Sequence, residues 1–168
     1  MSFCQYDPNL ECPYDNYRVP MRTAVAAIKG SEEYPKIKGT VYFERVPMGT
    51  NVMVRLSGLP NYKMATATSP QIGPHGFHIH AGGSCVAGPI DNPFPKTDGH
   101  FNPKNQPHGN HLGDFPAIFS NHGVSKMSFF TDKFYPEDVV GRTVVIHSGP
   151  DDYKTQPSGV LVFRLPAG

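Results

Sequence analysis

Two histidines one residue apart, His78 and His80, precede a long connection that carries three more, and this constrains the chain more than any other feature. Six of the eight histidines, His78, His80, His100, His108, His111 and His147, have metal-ligand spacing within three short segments, HGFHIH (75–80, which also holds His75), GHFNPKNQPHGNHLGD (99–114) and GRTVVIHSGPDD (141–152). In a strand, side chains at i and i+2 face the same side, so His78 and His80 are expected to project together. A neutral imidazole is the commonest metal ligand, and a chain of this size has no need of clustered histidines to fold.

Alternation of apolar and polar residues marks strands at Arg22–Lys29, Lys36–Val46, Asn51–Leu59, Gly76–His80, Phe115–Phe119, Val124–Thr131, Thr143–His147 and Val160–Leu165. MGT (48–50) supplies a turn between the second and third, and Pro136–Val139 a short helical turn that Gly141 stops. About eight short strands, with no sustained helical periodicity, predict an all-β sandwich or Greek-key β-barrel. Residues 81–114 form one connection without secondary structure, unusual inside a domain unless it is functional. A metal bound there would supply the order that a missing hydrogen-bond ladder cannot. Residues 1–20, with two cysteines, three tyrosines and three prolines, read as an irregular arm, and 21–168 as the domain.

Composition narrows the function. A formal net charge of +1, with 17% charged residues, leaves no basic footprint for nucleic acid. No apolar run approaches the length of a membrane helix. The start MSFCQYDPNLECPY lacks the charged and apolar regions of a signal peptide, so the protein is expected in the cytoplasm unless a leader has been removed. Cys4, Cys12 and Cys85 are odd in number, and none lies in a CxxC, which argues against a thiolate zinc site.

Two metal sets can be read from the spacing. His78, His80, His100 and His147 offer four imidazoles from three places, a tetragonal nitrogen set that favours Cu(II). His100, His108, His111 and Asp114 lie within 15 residues and offer three imidazoles and a carboxylate, which suit closed tetrahedral zinc. His100 can serve both sets because imidazole has two nitrogens. Asp151, four residues after His147, could accept a hydrogen bond from a ligand histidine and fix its orientation. His75 and His122 are left over and read as structural.

HGFHIH, GHFNP, HLGD and GRTVVIH followed by DD, in that order, resemble the copper/zinc superoxide dismutase family, and HAGGSC (80–85) is closer to its bacterial branch. The resemblance spans about residues 22–159. It implies a Greek-key β-barrel, also described as a flattened sandwich, with long metal-binding loops. It implies copper on His78, His80, His100 and His147, zinc on His100, His108, His111 and Asp114, and Asp151 linking the two sets. The implied substrate is the superoxide anion, with neither nucleic acid nor membrane as partner; a homodimer stays open, since members dimerise through different surfaces. In the implied cycle, copper alternates between two oxidation states while His100 lets go of it, takes a proton and returns.

The C-terminal region departs from the family. DDYKTQPSG (151–159) passes straight into VLVFRLPAG, without the usual arginine and cysteine. Cys85 matches the cysteine that the family pairs with the missing one, which leaves Cys4, Cys12 or a reduced state. The family's arginine attracts and docks superoxide; Lys154 stands near its place in sequence but lacks the guanidinium fork, and Arg164 falls in an expected strand. The expectation is an active but slower enzyme with weak salt dependence. The rivals are a metal-holding protein without turnover, which the missing arginine favours and the complete histidine set opposes, and a coat protein cross-linked through its arm.

Overall fold

The computed structural model describes residues 20–86, 94–155 and 161–166, the last as backbone alone. Seven strands form among these residues: β1 (Thr23–Gly30), β2 (Lys38–Val46), β3 (Gly49–Ser57), β4 (Phe77–His80), β5 (Val124–Thr131), β6 (Thr143–His147) and β7 (Leu161–Pro166). Every pairing is antiparallel, in the order β4-β6-β7-β1-β2-β3-β5. The β3–β4 connection therefore passes from one side of the sheet to the far edge, and the β4–β5 connection passes back, a Greek-key path. The segment Gly113–Ile118 then lies along β4 on its way to β5: Gly113 O accepts from Ile79 N, Phe115 N donates to Phe77 O, and His75 and Ile118 exchange both backbone bonds. This segment covers the outer edge of β4 before the chain returns to β5, and the sheet curls into a flattened barrel.

The core follows from the period of two. Ala24, Ala26 and Ile28 of β1, Val41 and Phe43 of β2, and Val52, Val54 and Leu56 of β3 point inward. Phe115 stands at the centre, with ring centroids 4.9 Å from Phe77, 5.2 Å from Phe129, 6.0 Å from Phe134 and 6.5 Å from Phe43. Burying an aromatic or branched aliphatic side chain of this kind contributes about 1.5–3 kcal/mol. Both faces of β4 and β6 are covered. Phe77, Ile79, Val144 and Ile146 enter the core, while His78, His80 and His147 are buried on the other face, beneath the long loop.

The expected strand at Phe115–Phe119 is not a strand. Pro116 removes a backbone donor there, and only isolated bridges form, His78 with Asp114 and His75 with Ile118. The β2–β3 hairpin turns at Pro47–Met48 rather than 48–50: proline sets φ, Met48 takes a φ of 69°, and Gly49 already belongs to β3. The helix over Pro136–Val139 forms where expected, and so does the long connection, which holds one short 3-10 turn at Pro95–Thr97 among its described residues. Cys4, Cys12, the arm and residues 87–93 lie outside the described residues; Cys85 is half-buried. Among the described residues, no helix is long and apolar enough to cross a membrane.

Candidate metal centre

His78 and His80 come from β4, with Val145 and Thr143 of β6 as their cross-strand partners. His147 N donates to the carbonyl of Gly76, which puts the His147 side chain on the same face as His78. Gly76 sits under this cluster. A Cβ there would lie 3.2 Å from His78 Cε1, 3.3 Å from Asp151 Cβ and 3.5 Å from His147 Cβ, so the glycine leaves the space that the three side chains fill.

The long loop delivers the remaining groups. Phe101 N donates to Ile79 O and Gly113 N to Phe101 O, so His100 and the 111–114 turn are both stitched to β4. Gly113 packs flat on that strand, where a Cβ would meet Ile79 O at 2.3 Å; this is why a glycine separates His111 and Asp114. Asp114 Oδ2 accepts from the backbone of Gly109 and His111 at 2.8 and 3.0 Å. Lys133 Nζ donates to the His111 carbonyl at 2.9 Å and ties the loop to the segment after β5.

All six histidines and Asp114 converge. Ligand atoms of His78, His80, His100 and His147 lie within 4.8 Å of one another, and so do those of His100, His108, His111 and Asp114. The His78 and His100 rings stack with centroids 3.9 Å apart. Asp151 stands between the sets, its carboxylate accepting from His78 Nε2 at 2.6 Å and from His108 Nε2 at 2.8 Å. A histidine whose Nε2 is held in this way turns Nδ1 toward its own set. Indeed, the Nδ1 atoms of His78, His108 and His111 are buried with no hydrogen-bond partner. An orphaned buried polar atom costs about 1–3 kcal/mol, and a metal ion at each set removes that cost. His80 Nδ1 donates to the Asp98 carbonyl at 2.8 Å, which frees Nε2 for the same purpose.

The electrostatics suit cations. Burial, and then the neighbouring imidazoles of His100 and His80, push His78 down to about 2, so its ring is neutral and its lone pair available. Burial also lowers His111, against the pull of Asp114. Burial of Asp114 opposes its ionisation, but the hydrogen bond from His100 and the His111 backbone N–H outweigh it, and the carboxyl is held well below its usual range. Four imidazoles suit a tetragonal ion, and three imidazoles with a carboxylate suit a tetrahedral one.

The two leftover histidines differ. His122 is an exposed turn residue with φ 51°. His75 is buried, and its Nδ1 donates to the His147 carbonyl at 2.9 Å, so it props a ligand-bearing strand from behind. Arg142 donates to the Ala81 carbonyl and lies 3.6 Å over the Phe101 ring, which joins the segments that follow His80 and His100. Tyr153 was not legible as a site residue; its ring stacks on His108 at 6.5 Å and its hydroxyl donates to Phe115 O at 3.2 Å. Lys154 is exposed, its backbone N–H donating to Asp152, and Arg164 takes the β7 position opposite Val145.

Fold and site together define a Greek-key β-barrel protein with two adjoining clusters able to hold metal ions on the outside of its wall. A family model described as copper/zinc superoxide dismutase (SODC) matches residues 37–167. The superoxide dismutase (Cu-Zn) of Deinococcus radiodurans is 36% identical over 141 residues, 74% of this chain and 71% of that protein. Superoxide dismutase (Cu-Zn) 3 of Arabidopsis thaliana is 35% identical over 155 residues, 85% and 79% of the respective chains. Among solved structures, the Cu/Zn superoxide dismutase from Brucella abortus matches 86% of this chain and 99% of that one, with a TM-score of 0.66 and 22% identity, a likeness of fold. The chain belongs to the copper/zinc superoxide dismutase family, whose metals are copper and zinc and whose substrate is superoxide.

Proposed function

We propose that this centre converts superoxide to oxygen and hydrogen peroxide, with copper held by His78, His80, His100 and His147 and zinc by His100, His108, His111 and Asp114. The observation that carries the reading is the membership of His100 in both clusters. Copper held by the four histidines would supply the one-electron redox chemistry that the reaction needs. The chain's own residues hold, orient and protonate. His100, whose Nδ1 is kept on the Asp114 side at 2.8 Å, would carry one proton at Nε2 toward the product peroxide, and solvent would supply the second. Asp151 fixes two rings at once, and Asp98 and His75 hold His80 and the His147 backbone. The domain begins at about residue 21 in this reading, since β1 opens at Thr23 and β1 to β6 contribute to one core.

The missing family arginine favours a rate below that of standard members with weak dependence on ionic strength, because a cation in a cleft raises association rates by roughly 10–1,000-fold. The test is the dismutation rate of protein loaded with copper and zinc, with His147→Ala as control. A fast rate lost in the variant supports the enzyme. A rate no better than the variant's, with both metals confirmed bound, leaves a metal-holding protein without turnover, the reading that the absent arginine would then favour.

A further inference from the structure

The outer face of β1, β2, β3 and β5 carries no metal ligand, and its charges are oddly placed. Register puts Lys29 directly opposite Lys38, and Arg55 directly opposite Lys126. Like charges facing each other across a sheet are destabilising, and both pairs are exposed. A solvated face ordinarily intersperses both signs. Here the outward positions hold one acid, Glu44, at the far end of the face. Among the described residues none of the four cations pairs with a carboxylate; the only ion pair of a lysine or arginine is Arg45–Glu137. Lysine on an edge strand guards against unwanted strand pairing, which accounts for Lys126 on β5. It does not account for Lys29, Lys38 and Arg55, because β1, β2 and β3 are interior strands.

The four positions also form a line. Thr40 of β2 faces Arg55, so Arg55 and Lys126 lie one outward row beyond Lys29 and Lys38. With strands about 4.8 Å apart and about 6.8 Å per two residues, the four α-carbons trace a diagonal about 16 Å long. Lys38, Arg55, Ser57, Val124 and Lys126 line a shallow depression along it. Arg164, opposite Lys29 on β7, occupies the next register position.

We infer that this diagonal is a docking track for an acidic polysaccharide. A one-dimensional row of cations matches a linear polyanion rather than a single small anion or a planar bilayer. Single-stranded nucleic acid is disfavoured because it binds through a positive track combined with aromatic platforms for successive bases, and the aromatics on this face, Tyr42 and Phe130, stand off the row. A duplex is disfavoured because a flat sheet offers nothing to enter a groove. The hydroxyl of Thr40, among the cations, suits sugar hydroxyls and sulfates.

The test uses the metal-loaded full chain and dextran sulfate as probe, followed by calorimetry at several salt concentrations. Binding should weaken steeply with salt, and the triple variant Lys38→Gln, Arg55→Gln, Lys126→Gln should bind at least tenfold more weakly while keeping its metal content and dismutation rate. If the triple variant does not fold, Arg55→Gln alone should still bind severalfold more weakly. Equal binding by variant and parent, or by neutral dextran, overturns the inference. Tighter binding to poly-dT or to anionic vesicles than to dextran sulfate also overturns it, and reassigns the face to nucleic acid or to membrane.

Discussion

The carboxylate of Asp151 accepts a 2.6 Å hydrogen bond from Nε2 of His78, with both side chains fully buried. Its second oxygen serves His108 in the other cluster at 2.8 Å, so one aspartate sets ring orientation on both sides of the centre. Loss of such an outer partner costs roughly 10–100-fold in metal affinity. Asp151→Ala should therefore weaken zinc and copper together, measured by competition with a chromophoric chelator. A variant that loses affinity for neither ion would show that the ligand rings are oriented by other contacts.

The metal-stripped protein should lose stability on mild acidification. His78 is held at about 2 in the folded chain by burial and neighbouring imidazoles, against 6.5 for an ordinary histidine. As pH falls below 6.5 the unfolded chain takes up a proton that the folded chain refuses, so stability present above 6.5 drains away. At pH 5 one such group removes about 2 kcal/mol. His75 and His111 shift in the same direction. Asp114 is depressed from 3.8, so its contribution is lost only below about that value and does not enter this window. Urea unfolding of the stripped protein at pH 7.5 and pH 5 measures the difference, and equal midpoints would contradict it.

Gly76→Ala should disturb the centre without unfolding the barrel. The added methyl lies 3.2–3.5 Å from atoms of His78, Asp151 and His147, close enough to shift all three by tenths of an ångström. The electron paramagnetic resonance spectrum of the copper-loaded variant should change its hyperfine splitting, while far-ultraviolet circular dichroism stays as in the parent. An unchanged spectrum would mean that the site absorbs the methyl elsewhere.

Phe115→Ala should be the costliest core truncation tested by denaturant. The residue is 3% exposed and touches rings from β2, β4 and β5. Phe→Ala at such a site costs about 3–5 kcal/mol. A loss under 1 kcal/mol would show that Phe77 and Phe43 close the gap.

The convergence of the candidate ligands was legible because its logic is local. His78 and His80 share a face by strand periodicity alone, and His100, His108, His111 and Asp114 lie within one loop. Asp151 could be guessed from its distance to His147. The supporting contacts were not legible, since each depends on a meeting of distant segments: Asp98 with His80, Tyr153 with His108, Lys133 with His111. The strand expected at Phe115–Phe119 shows the limit of periodicity, because the alternation is present but Pro116 interrupts the ladder. The cationic diagonal was invisible for a different reason: a net charge of +1 averages over the chain, while the line exists only once the register of four strands is fixed.

The strip Gly113–Ile118 is the last stave of the barrel, and Asp114 is part of it. Asp114 therefore belongs both to the barrel wall and to one of the two clusters able to hold a metal ion. A chain emptied of its ions keeps the strip against β4 by its backbone bonds and by the buried side chains of Phe115 and Ile118, beside a crowd of unsatisfied nitrogens. Should the strip lift, β4 is left with a bare donor–acceptor rim, the template on which strands of other copies add. In a metal-free chain whose strip has lifted, that rim would be the route to self-association.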